Sequence, residues 1–71
     1  MYLNKLDIGK TGKIININAC DDIKRRLMDI GFNRGAFVKP VLDGKSMRAY
    51  SIRGSIIAVR KEDISKVEVE L

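Results

Sequence analysis

The sequence has no histidine, no tryptophan, one cysteine, one proline, and only two tyrosines and two phenylalanines. Without histidine the chain lacks both the commonest transition-metal ligand and the commonest general base at neutral pH. A catalytic acid or base would have to be a lysine, a tyrosine or a carboxylate with a displaced pKa, and no paired arrangement of such groups is visible; any metal would have to be held by oxygen. Cys20 cannot form an internal disulfide, and with no histidine it is poor material for a zinc site or a thiol nucleophile. A reducing cytoplasm is the expected setting. No stretch approaches the roughly 18 uninterrupted apolar residues of a membrane span, and Met1 to Lys10 shows no basic start followed by an apolar segment. The chain therefore reads as neither inserted nor exported. Gly9-Lys-Thr-Gly12 lacks the Gly-Lys-Ser/Thr ending of a phosphate-cradling loop and is sufficiently explained as a turn.

What is present suits one small core. A chain of 71 residues with 45% hydrophobic and 32% charged residues is expected to form a single domain over 1–71 and to bury about 60% of its unfolded surface. Fourteen lysines and arginines against nine acids give a net charge of +5. That balance favours an anionic partner. The cations are scattered from Lys5 to Lys66 instead of forming one block, as on a solvated mixed-charge surface.

Punctuation by glycine divides the chain into short elements. Leu3, Leu6 and Ile8 lead into the Gly9–Gly12 turn, and Lys13 to Asn18 carries three isoleucines in six positions, which reads as a strand. Ile14 and Ile17 cannot both face inward at a period of two, so a bulge is expected to bring them together. One helix follows, about 21–30. Asp21 and Asp22 suit its N-cap and first turn, where carboxylates meet the positive end of the dipole. Ile23, Leu27 and Ile30 fall within about 60° on a helical wheel, a narrow buried stripe, with Arg25 on the far side. Gly31 is expected to stop the helix in a left-handed conformation, leaving Phe32 to close over Leu27.

Beyond Asn33-Arg-Gly35, residues 36–42 read as a strand whose Pro40 must lie at an edge or near a bulge, since it cannot donate to a ladder. Asp43-Gly44-Lys-Ser46 is a hairpin signal, with glycine able to supply a positive φ. Residues 47–53 return, Arg53-Gly54 turns, and 55–60 form a further strand with Ile57 and Val59 on one face. Lys61 to Ser65 suffices for one 3₁₀ turn, and Val67, Val69 and Leu71 alternate with Glu68 and Glu70 as a half-buried strand. Five to six short strands with one inserted helix predict a mainly β fold, a small SH3-like barrel, because a flat sheet of this size would leave edges and an apolar face uncovered. A ferredoxin-like fold would need a second full helix.

Gly9-Lys-Thr-Gly-Lys-Ile-Ile-Asn-Ile17, Arg25-Arg-Leu-Met-Asp-Ile-Gly-Phe32, Gly35, Tyr50-Ser-Ile-Arg-Gly54, Ile57-Ala-Val-Arg60 and Val67-Glu-Val69 closely resemble, in that order, the FeoA family. The resemblance spans nearly the whole chain. It implies an SH3-like barrel in the cytoplasm that works with the membrane GTPase-permease FeoB in uptake of Fe²⁺. It also relates the fold to the C-terminal domain of iron-dependent repressors.

A partner of that kind needs a docking face. Lys24, Arg25 and Met28, turned away from Ile23 and Leu27, form a candidate amphipathic patch in which Met28 supplies an adaptable apolar contact, and Arg60 is a further cationic candidate. The bland alternative is that Arg25 and Arg26 are satisfied by Asp21, Asp22 and Asp29 as exposed pairs within the helix. Ile23, Leu27, Ile30, Gly31, Phe32 and Gly54 are expected to be structural. No catalytic residue, resident metal ligand or cofactor is expected, and the chain is expected to be a monomer or a weak homo-oligomer. Two other readings stay open: a basic SH3-like module binding nucleic acid, motivated by Arg48, Arg53 and Arg60 on strands, and a metal-responsive regulatory domain.

Overall fold

The computed structural model describes residues 1–71. Strand β1, Gly12–Ile17, pairs antiparallel with the last strand, β5, Val67–Glu70, and the register slips by one residue between Ile14 and Asn16. That slip is the expected bulge. It places Ile14 and Ile17 together in the core and leaves Ile15 half-buried.

Helix α1, Asp21–Asp29, starts one residue earlier in its capping than the sequence suggests: Cys20 holds the N-cap position, with no side-chain hydrogen bond, and Asp21 and Asp22 sit in the first turn. The start is therefore favoured by charge against the helix dipole and not by a side-chain cap. The stop follows the expected pattern. Phe32 N–H donates to the Leu27 carbonyl (2.9 Å) and Gly31 N–H to that of Met28 (3.1 Å), with Gly31 at φ +110°. These two bonds satisfy helix-end carbonyls that would otherwise be orphaned. A Cβ at Gly31 would meet only Ile52, at 3.9 Å, so the penalty for replacing it is conformational and not steric. Gly31→Val should cost about 1–2 kcal/mol and lower the melting temperature by about 4–16 °C. An unchanged melt would contradict this account of the helix stop.

Strands β2, Phe37–Asp43, and β3, Met47–Ile52, pair antiparallel, and the register steps between Pro40↔Tyr50 and Leu42↔Ala49. Pro40 is tolerated because β1 reaches β2 only at Gly12↔Val38 and Lys13↔Phe37, so no ladder bond is demanded of its missing N–H. Its carbonyl accepts from Gly9 N–H at 2.9 Å. Gly44 in the β2–β3 turn does not have the positive φ expected of it. It is glycine for room, since a Cβ there would stand 2.8 Å from the Met47 carbonyl oxygen. At the next turn Arg53 and Gly54 both have positive φ, 52° and 79°, the requirement of a two-residue hairpin that twists with its strands. Strand β4, Ser55–Arg60, follows, then one α-helical turn, α2, Lys61–Ile64, where a 3₁₀ turn was expected.

The sheet order is β4-β3-β2-β1-β5. Its two edges are treated differently. β5 is covered by the N-terminus: Val69 N–H donates to the Met1 carbonyl (2.7 Å), the N-terminal ammonium donates to that of Val69 (2.9 Å), and Tyr2 bridges Glu68. No strand covers β4. Leu3 and Leu6, on a 3₁₀ turn at Leu3–Lys5 that the sequence did not announce, plug the core with Tyr50, Phe32, Ile52, Ile64, Val67 and Val69. Leu71, expected to continue the inward row of β5, lies beyond the strand and is exposed, as is Ile8.

Candidate functional groove beside the helix

Helix α1 buries one residue, Leu27, and Ile23 is only partly covered. Ile30, expected in the buried stripe, is 41% exposed. The reason is local: the helix ends at Asp29 and Ile30 takes the C-cap conformation (φ −93°, ψ 4°), outside the helical stripe. Between this last turn and the uncovered strand β4 lies a groove of about 580 Å³, walled by Ile23, Leu27, Ile30, Met47, Ala58 and Val59. Its rim carries Arg26, Asp29, Arg60 and Asp63. Apolar walls with a few charged groups at the rim suit binding of a mixed surface.

The predicted partner residues fall on two sides of the helix. Lys24, Arg25 and Met28 line a shallow depression with Asp21 and Asp29, and all three are exposed. Arg60 is not part of that depression; it stands on the groove rim, paired with Asp63 (3.2 Å) and Glu62 (3.6 Å). The intrahelical pairs expected for Arg25 and Arg26 do not form, since neither guanidinium has an ion pair or hydrogen bond. Both remain free to meet a partner's acids. Glu62 and Asp63 are engaged by Arg60, and no three Cys, Asp or Glu side chains converge as a metal ligand set. Gly54 lies in the hairpin turn, and Phe32 and Leu27 lie in the core.

Arg48 corrects the reading of the strand arginines as a nucleic-acid face. Its side chain is buried: Nη1 donates to the Leu3 carbonyl (3.2 Å) and the Tyr50 hydroxyl (3.3 Å), and Nη2 to the Leu6 carbonyl (2.6 Å). Nε faces Asp43 at 3.4 Å without the alignment of a hydrogen bond. One signal for this was in the sequence: Arg48, Tyr50 and Ile52 alternate on what becomes the inward face of β3.

Burial pushes the Tyr50 phenol above its ordinary value of 10.0, and the hydrogen bond and charge of Arg48 offset part of the rise. The folded protein thus holds this proton more tightly than the unfolded chain, so stability is unaffected below pH 10 and falls as pH rises from 10 to the folded-state pKa. Denaturation of the parent and of Tyr50→Phe across pH 9–11.5 should show a steeper decline for the parent. Parallel profiles would mean that Tyr50 ionises freely in the fold.

A family model described as the FeoA domain matches residues 1–71. Among solved structures, the FeoA-like protein from Clostridium acetobutylicum is similar at 26% identity and a TM-score of 0.89, covering 100% of this chain and 85% of that one. FeoA from Stenotrophomonas maltophilia, solved with zinc and titled an SH3 domain protein, is similar at 25% identity and a TM-score of 0.86, covering 99% and 89%. A manganese-dependent transcriptional repressor shares the fold at 18% identity and a TM-score of 0.90, with 99% of this chain on 35% of that one. No curated protein matches the sequence.

Proposed function

The chain belongs to the FeoA domain family, which is implicated in ferrous iron transport, and from that premise we propose that it is a small cytoplasmic accessory protein of bacterial Fe²⁺ uptake that docks on a FeoB-type GTPase-permease. It acts by binding and carries out no chemistry of its own. The observation that supports this most directly is the pairing of an apolar groove beside α1 with the unpaired cations Arg25 and Arg26 on the same helix. A rigid helix held at one end by its glycine stop presents such a face at little entropic cost. Lys24, Arg25 and Met28 contact the permease on one side of the helix, and Arg60 flanks it on the other.

Arg25→Glu combined with Met28→Ala tests the reading, because both side chains are exposed and their replacement leaves the core intact. Co-purification with the permease's cytosolic domain should fall by at least tenfold while the melting temperature stays within a few degrees of the parent. Full retention of binding would remove this helix face from the interface.

A further inference from the structure

A second face, on the outside of the sheet, has a character of its own. Phe37, Leu42 and Ile56 are 65%, 67% and 71% exposed, more than any other large apolar side chain apart from the C-terminal Leu71. The strand registers put them on one surface. Phe37 and Lys39 alternate with the buried Val38 and Pro40; Lys39 lies level with Ser51 and Ile56 across β2, β3 and β4, and Leu42 lies level with Ala49 and Ala58. With neighbouring strands about 4.8 Å apart, Lys39 and Ile56 are separated by roughly 10 Å.

Cations lie among and beside these apolar groups. Lys13 stands directly opposite Phe37 on β1, and the exposed Arg53 follows Ile52, the partner of Val38, in the next turn. Arg34 shares a depression with Lys13. None of Lys13, Arg34, Lys39 and Arg53 forms an ion pair; the three cationic residues on the protein that do are Arg48, Arg60 and Lys61. The acid in register with this set is Glu70, opposite Lys13 on β5, and the two side chains are not paired.

We propose that this outer face, on which Phe37, Leu42 and Ile56 are interspersed with Lys39 and flanked by Lys13 and Arg53, is a peripheral docking surface for an anionic lipid bilayer. Protruding apolar side chains enter the interface while the surrounding ammonium and guanidinium groups meet anionic headgroups. The composition separates this partner from nucleic acid: two of the three apolar groups are aliphatic and cannot stack on bases, and Phe37 is the face's one aromatic. Tyr2, the other exposed aromatic, is on the opposite edge, against Glu68. The inference does not depend on docking through the helix, although the two surfaces meet at Ala58, which is level with Leu42 and also walls the groove.

Co-sedimentation of the whole chain with vesicles, without any permease, tests it. Vesicles of phosphatidylcholine with 30% phosphatidylglycerol should retain the protein at low salt, and pure phosphatidylcholine vesicles should not. Raising the salt to 0.5 M should release it. Lys39→Glu with Arg53→Glu should weaken partitioning on the order of a hundredfold or more, and Phe37→Ser by about tenfold, with the melts of both variants checked against the parent. Arg25→Glu, on the helix, should bind far more strongly than the doubly reversed variant. Equal retention by neutral vesicles, no retention at low salt, or undiminished binding by the doubly reversed variant would overturn the proposal. So would salt-sensitive binding of a single-stranded oligonucleotide by a protein that ignores vesicles, which would assign the face to nucleic acid.

Discussion

Arg48→Met should destabilise the domain by about 2–4 kcal/mol, the cost of taking a charged donor from buried neutral acceptors. The guanidinium donates to the Leu3 and Leu6 carbonyls and to the Tyr50 hydroxyl. Methionine fills the volume but donates nothing, so the Leu6 carbonyl and the Tyr50 hydroxyl lose their charged donor inside the fold, each at a cost of about 1–3 kcal/mol, while the Leu3 carbonyl keeps the Leu6 N–H at 3.1 Å. A domain of this length has a total stability of roughly 4–11 kcal/mol, so the variant should lose a large share of it. The network also ties the N-terminal turn to β3, and that turn leads to Met1 and Tyr2, which cover the edge of β5. Amide exchange in residues 1–8 and along β5 should therefore accelerate before global unfolding. Asp43→Asn is the contrasting substitution: Asp43 is about half exposed and shared between Arg48 and Lys61, and its loss should cost no more than about 1 kcal/mol. A urea denaturation in which Arg48→Met and Asp43→Asn lose the same small amount would show that the buried hydrogen bonds contribute little.

Phe32→Ala should be of comparable size, about 3–5 kcal/mol. Phe32 is fully buried, stands edge-to-face against Tyr50 with ring centroids 5.9 Å apart and planes at 86°, and its N–H closes the end of α1. Alanine keeps the backbone bond and loses the ring, which leaves a cavity where the helix end meets the core. The consequence for function is specific. The last turn of α1 forms one wall of the groove, so loosening it should weaken capture by the permease domain even where the protein stays folded at low temperature. Phe32→Leu, which keeps most of the volume, should restore much of both properties. Wild-type binding by a Phe32→Ala protein whose stability has fallen by several kcal/mol would separate the groove from the packing of this ring.

Local chemistry explains which parts of the fold could be read along the chain. The helix stop at Gly31-Phe32, the bulge that joins Ile14 to Ile17 and the accommodation of Pro40 each follow from a constraint on one or two residues: a positive φ, a period of two, or a missing N–H. The groove and its partners were less legible. Ile23, Leu27 and Ile30 share one helical face, but the wheel cannot say how far along that face the sheet extends. Arg48 shows the same limit from the other side. An arginine on a strand is ordinarily a surface residue, and only the arrival of Leu3 and Leu6 from the far end of the chain supplies carbonyls to receive its donors.

By itself, then, the order of residues determined a mainly β fold with one inserted helix, the place where that helix ends, and membership of a family through motifs spread over its length, because these rest on short-range stereochemistry and local pattern. Only the tertiary structure decided that β5 is covered and β4 is not, that Arg60 faces a groove away from Lys24 and Arg25, and that Phe37, Leu42 and Ile56 share a surface with unpaired cations. Those facts depend on strand order and register, which bring together residues far apart in the chain through contacts that no local propensity encodes.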